Sequence, residues 1–163
     1  VSGLALADLG RLPFAAGSFD AVVCVTVLYH AAVRSPAAVV GELARVVRPG
    51  GVVGLMEPGV RRLRRAHDRQ THAGRRFSLG DMRRLLVDNG LEVVRATGAY
   101  TFLVPPATVL ATLDRDGRSS DLDRSGGAAS NALSAAARAE RAVLRRIAVP
   151  FGLSVIAVGR VRT

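Results

Sequence analysis

Apolar positions along the 163-residue chain fall into four strand-like runs and three segments of helical period, separated by turns marked with glycine and proline. Phe19-Asp20-Ala21-Val22-Val23-Cys24-Val25-Thr26-Val27 is continuous and rich in β-branched residues, which predicts a strand buried on both faces. Ser35-Pro36 opens a helix, with Ser35 as N-cap and Pro36 at the first helical position. Val39, Val40, Leu43, Val46 and Val47 then recur at helical spacing through Arg48. Pro49-Gly50-Gly51 ends that helix and turns the chain, and Val52-Val53-Gly54-Leu55-Met56 reads as a second buried strand. Two buried strands joined by a helix form a βαβ crossover, the unit of a doubly wound sheet.

Ser78 begins a second helix, with Asp81 three residues on in a capping-box arrangement. Met82, Leu85, Leu86 and Val87 give its apolar face, and Asn89-Gly90 its C-cap. Leu91 to Ala96 reads as a third strand and Leu153 to Val161 as a fourth. Residues 101–152 exceed any ordinary hairpin connection and so form an insertion with helices of its own. Within it, the polar stretch 114–131 reads as a mobile loop. A helix over 132–147 would use Leu133, Ala136, Ala137, Val143, Leu144 and Ile147 for contact.

Composition adds further constraints. The length suits one domain with a real core, and with 4% aromatics and no Trp that core must be mostly Val, Leu and Ala. The net charge is +10 and every basic side chain is Arg, a bias that a GC-rich coding genome explains without any functional demand. Nine Arg against two Asp lie within residues 59–84, however, so the charge is concentrated. The single cysteine, Cys24, cannot form an internal disulfide, which is compatible with a reducing cytoplasm. The first residues show no signal pattern, and the apolar stretch Ala99–Leu113 is too short to span a bilayer. His67 and His72 lack the spacing and the carboxylate or thiolate companions of a metal site, so no metal is expected.

Four local words then occur in order: Ala7-Asp8-Leu9-Gly10-Arg11-Leu12-Pro13-Phe14, Gly17-Ser18-Phe19-Asp20, Val27-Leu28-Tyr29-His30, and Glu42-Leu43-Ala44-Arg45-Val46-Val47-Arg48-Pro49-Gly50-Gly51. Together they resemble class I S-adenosylmethionine-dependent methyltransferases, and more narrowly the ubiquinone- and menaquinone-biosynthesis-like small-molecule branch. The resemblance runs from about Ala7 to Val94. It implies an α/β fold: part of a Rossmann-like methyltransferase sheet whose last strand is antiparallel, in a single truncated domain over residues 1–163.

The resemblance also implies a site that binds S-adenosyl-L-methionine. Asp8 would accept a hydrogen bond from the adenine amino group, which can only donate, and the Leu9 backbone would meet the ring. A loop aspartate capping its own turn is the plainer reading of Asp8. Asp20 would fix the turn into its strand. Cys24 and Val25 reach the carboxyl end of that strand, where open α/β sheets bind ligands. Cys24 reads equally well as a small buried apolar residue. Tyr29 and His30 would face the active-site mouth, His30 as a general base or as a packing residue. Glu57 would line the substrate pocket or face solvent. Arg61 and Arg62, with Arg64 and Arg65, would bind an anionic acceptor or form a solvated charged face.

The family's glycine-rich cofactor loop and its ribose-binding acid have no counterpart in the sequence; Gly50-Gly51 and Gly126-Gly127 sit in the wrong context. The expectation is therefore a C-terminal portion that binds the cofactor poorly by itself. Its 19–27 strand would lack a neighbour and would drive dimerisation or aggregation. Three functions follow: methyl transfer to a small-molecule or glycan-type acceptor, a basic non-catalytic module on nucleic acid, or peripheral membrane contact with a lipid-linked acceptor through Tyr100–Leu113. No nucleic-acid motif is present and aromatics for base stacking are sparse, so no specific nucleic acid is expected.

Overall fold

The computed structural model describes residues 3–4, 6–60, 74–106, 108 and 127–163. Strands β1 (Phe19–Val25), β2 (Val47–Pro58), β3 (Leu91–Ala99) and β4 (Ser154–Val161) form one sheet in the order β1-β2-β4-β3. β1 and β2 are parallel, and β4 inserts antiparallel between β2 and β3. Helix α1 (Pro36–Val46) makes the crossover from β1 to β2, and α2 (Leu79–Asp88) leads into β3. A 3-10 turn at Thr101–Leu103 and the helix α3 (Gly127–Leu144) lie between β3 and β4.

The helix ends follow their capping chemistry. The Ser35 side chain accepts from the Ala38 N–H with Pro36 at the first position, so α1 begins where the sequence places it. At α2 both arms of the capping box form. Ser78 Oγ accepts the Asp81 N–H at 3.2 Å, and Asp81 Oδ2 accepts the Ser78 N–H at 2.8 Å. Asn89 caps the other end, and Gly90 takes the positive φ of 78° that turns the chain into β3.

The core lies on one face of the sheet. Val39, Val40 and Leu43 of α1 and Met82 and Leu86 of α2 pack onto Val53, Leu55, Val155 and Ala157. Each such side chain contributes about 1.5–3 kcal/mol when fully buried. The opposite face is bare: Val23 is 71% and Val25 47% exposed, and Met56, Ile156 and Val158 are only half-buried. This corrects the expectation of a 19–27 strand buried on both faces. No helix among the described residues covers that second face, and β1 is an edge strand paired only with β2.

Three other boundaries differ. β2 begins at Val47, because Pro49-Gly50-Gly51 loops out as a bulge: Phe19 pairs with Val47, and Ala21 already pairs with Val52. A Cβ at Gly51 would lie 2.6 Å from the Asp20 carbonyl oxygen, so only glycine fits there. β3 runs on to Ala99 beside Phe151, whose backbone leaves no room for a Cβ on Gly98. α3 starts at Gly127, so residues 127–131 are helical where a loop was expected; residues 114–126 lie outside the described residues.

α3 also meets the sheet differently from its apolar pattern. Of its expected apolar contacts, Leu133, Val143 and Ile147 are exposed, and Ala136, Ala137 and Leu144 are half-buried. Polar ties hold the helix instead. Glu140 accepts the Tyr100 and Thr101 N–H groups at 2.7 and 2.6 Å, and the Arg95 guanidinium donates to the Leu144 and Ile147 carbonyls. No helix among the described residues is long and apolar enough to cross a membrane.

Candidate active site

The carboxyl ends of β1 and β2 carry the most elaborate loop in the described structure. Thr26, just past β1, has φ 51°, a left-handed conformation that a β-branched residue resists by about 1–3 kcal/mol. Its N–H donates to the Met56 carbonyl at 2.8 Å, which holds the bend against β2. The next three N–H groups all converge on one side chain. Glu57 Oε1 accepts from Val27 at 3.1 Å and Leu28 at 2.8 Å, and Oε2 accepts from Tyr29 at 3.1 Å. The Tyr29 carbonyl in turn accepts the Gly74 and Arg75 N–H groups, and the Pro58 carbonyl accepts that of Phe77. Three chain segments thus form one fixed rim above two parallel strands.

Glu57 is 0% exposed. Burial pushes its carboxyl above the usual carboxylate range, and the three backbone donors oppose that rise. Cys24, one strand over, is buried on the same covered face. Burial, and after it the Glu57 charge, push its thiol up to about 11. Cys24 is therefore a protonated core thiol at neutral pH and offers no nucleophile.

A second unit joins two of the sequence words. Glu42 of α1 accepts the Leu12 N–H at 3.0 Å and pairs with Arg45 at 2.9 Å. Arg45 also donates to the Phe14 and Leu12 carbonyls, and its own carbonyl accepts the Gly17 N–H. The Leu-Pro-Phe turn and the Glu-Leu-Ala-Arg helix are thus one clamp. The Arg45 guanidinium, with the Leu12 N–H, lowers the Glu42 carboxyl to about 2. Asp20 pairs with Arg48 at the entry to β1, a structural task.

The clamp sets the position of Asp8. Its Oδ1 accepts the Gly10 N–H at 2.8 Å and its carbonyl accepts that of Arg11, so it caps its own turn. The exposed carboxylate keeps a second oxygen, Oδ2, with no hydrogen bond among the described residues. Leu9 packs its side chain against the core, and Val25 lies on the bare face. Tyr29 is half-buried with its ring on the core cluster, and it meets His30 edge-on at 6.3 Å. His30 Nδ1 accepts the Ala32 N–H at 3.1 Å.

The structure therefore unites Tyr29, His30 and Glu57 in one rim and leaves Asp8 and Leu9 in a separate turn fastened to α1. Glu57 does not face solvent: it is fully buried, and its carboxylate accepts three loop amides. Arg61, Arg62, Arg64, Arg65, His67 and His72 lie outside the described residues. The Glu42–Arg45 clamp was not singled out in the sequence, although Glu and Arg three apart on a helix signal a pair.

Residues 2–55 match a family model described as a methyltransferase domain. An uncharacterized chloroplastic methyltransferase of Arabidopsis thaliana is 49% identical over 49 residues, which cover 30% of this chain and 13% of that protein. Solved structures share the fold at low identity. Phosphoethanolamine N-methyltransferase 2 of Haemonchus contortus, in complex with S-adenosyl-L-methionine, matches with TM-score 0.55 at 13% identity, over 96% of this chain and 36% of its own. The cyclase SpnF matches with TM-score 0.55 at 21% identity, over 98% and 55%. A SAM-dependent methyltransferase of Methanosarcina mazei matches with TM-score 0.51 at 14% identity, over 96% and 65%. The chain thus spans about two thirds or less of the length of each of these relatives, and its mixed sheet is that of the Rossmann-like methyltransferase fold.

Proposed function

We propose, from a chain with the Rossmann-like methyltransferase fold and a methyltransferase-domain sequence over residues 2–55, that this protein is part of an S-adenosylmethionine-dependent methyltransferase acting on a small-molecule acceptor. The observation that carries the reading is the rim built on Glu57. It stands at the carboxyl ends of parallel strands, where open α/β sheets bind their ligands, and it lies beside residues within the matched segment. A cyclase among the structural relatives shows that the fold alone does not select the reaction.

S-adenosylmethionine supplies an electrophilic methyl group, so the protein's task is to align donor and acceptor. Asp8 Oδ2 is a ready acceptor for the adenine amine, on a turn that Glu42 and Arg45 hold still. The Leu9 backbone flanks the ring, and the backbone at Cys24 and Val25 borders the site from β1. Tyr29 and His30 form the acceptor side. His30 there acts on the acceptor, as a general base on its hydroxyl or by polarising it. Glu57 holds the loop and touches no ligand. A glycine-rich loop for the methionine and ribose portions is required in addition.

Saturation-transfer NMR with S-adenosylhomocysteine tests the reading even for weak binding. The adenine protons should receive more saturation than the homocysteine protons, and Asp8→Ala should remove most of that difference. Equal transfer to both ends, unchanged in Asp8→Ala, would overturn the assignment.

A further inference from the structure

Apart from that rim, a cavity of about 470 Å³ opens between the first turn of α1 and the face of α2. Four guanidinium groups, Arg34, Arg75, Arg76 and Arg84, line it against two carboxylates, Asp81 and Asp88. The excess of two positive charges is larger in effect than the count. Asp81 is already spent on the Ser78 N–H and hydroxyl and on Arg84, at 2.6 Å. Arg76 is committed to the Gly59 carbonyl at 3.1 Å. Among the described residues, the Arg34 and Arg75 side chains have no ion-pair or hydrogen-bond partner.

Leaving two unpaired guanidinium groups in one concavity costs stability through mutual repulsion, and the repulsion is screened less there than on a convex surface. Arg75 is half-buried, and its backbone is fastened to the Tyr29 carbonyl, so its position is set by the same rim that Glu57 organises. The positive end of the eleven-residue α1 adds to the potential on the same side. Guanidinium forks match the oxygens of phosphate in bidentate fashion, and a compact dianion would balance the excess charge.

We propose that this cavity is a binding site for the phosphate group of a small soluble molecule, with Arg34 and Arg75 as its principal contacts. The site stands on its own charges and does not depend on the methyl-transfer reading. Four arginines that line one concavity suit a discrete dianion better than a flat lipid surface.

Titration of the protein with inorganic phosphate, followed by ¹H–¹⁵N NMR of arginine Nε–H groups and backbone amides, tests it. Saturable shifts should appear at Arg34, Arg75 and Ala37 and weaken with added salt. Arg34→Gln, on an exposed loop, should lower affinity several-fold, and Arg34→Gln/Arg75→Gln should lower it at least tenfold. Arg83→Gln/Arg146→Gln, at a separate arginine-lined depression, should change nothing. Equal shifts at Arg83 and Arg146, or an unaltered titration of the double variant with a native-like spectrum, would overturn the proposal. Binding to phosphatidic acid vesicles without binding to soluble phosphate would overturn it too.

Discussion

At the scale of single residues, buried or clamped carboxylates organise the candidate site. In Glu57→Gln one amide nitrogen replaces an acceptor and faces a backbone N–H. That should cost about 1–3 kcal/mol, measured by urea unfolding, and speed amide exchange at residues 27–29. The pH dependence of this residue has a definite sign. Its folded pKa is raised, so its stabilising contribution is full below the ordinary carboxylate range and is lost as pH rises through the raised value. Glu57→Gln should remove that component from a plot of Tm against pH. Glu42 has the opposite sign. Its folded value is lowered to about 2, so the clamp is intact above the ordinary carboxylate range and is lost as pH falls toward 2. Amide exchange at Leu12 and Gly17 should rise over that acid range in the native protein and be fast throughout in Glu42→Gln. Of these roles, the sequence put Tyr29 and His30 at the active-site mouth and left Glu57 to line the substrate pocket or face solvent. The convergence of three amides on Glu57 was not legible, because residues 27–29 and 57 are brought together only by the pairing of β1 with β2.

At the scale of elements, local chemistry was the better guide. Ser35-Pro36, Ser78 with Asp81, and Asn89-Gly90 act within a turn of chain, and each caps its helix as its residue types dictate. Ser78→Ala should therefore destabilise by about 1 kcal/mol, with Tm falling by roughly 3 °C in a thermal melt followed by circular dichroism. Elements whose fate depends on distant neighbours were harder to read. Pro49-Gly50-Gly51 has the composition of a turn, yet it is a bulge inside β2, because Asp20 and Val47 crowd the site from β1 and from β2 itself. The apolar spacing of α3 suggested packing through Leu133, Val143 and Ile147, whereas Glu140 and Arg95 tie that helix to the strand ends.

At the scale of the whole molecule, the described residues cover the sheet on one face only, and among them β1 has an unpaired edge and an exposed apolar surface at Val23 and Val25. Such an edge is a template for another chain. The protein should self-associate at micromolar concentration in sedimentation velocity, and Val23→Lys should shift it toward monomer without a change in secondary structure. A monomer at high concentration in the unsubstituted protein would remove the case for edge pairing.

The sequence by itself determined what depends on short-range order: the alternation of strand and helix, the caps, the βαβ crossover and the words that resemble a methyltransferase. These follow from periodicity and from side chains that reach only a few residues away. Only the tertiary structure decided which face of the sheet is covered, that Glu57 is a buried anchor for three loop amides, that Glu42 and Arg45 fasten the turn bearing Asp8, and that four arginines from three segments share one cavity. Each of those facts is a meeting of residues remote in the chain, and it is set by strand register and helix packing that no local pattern encodes.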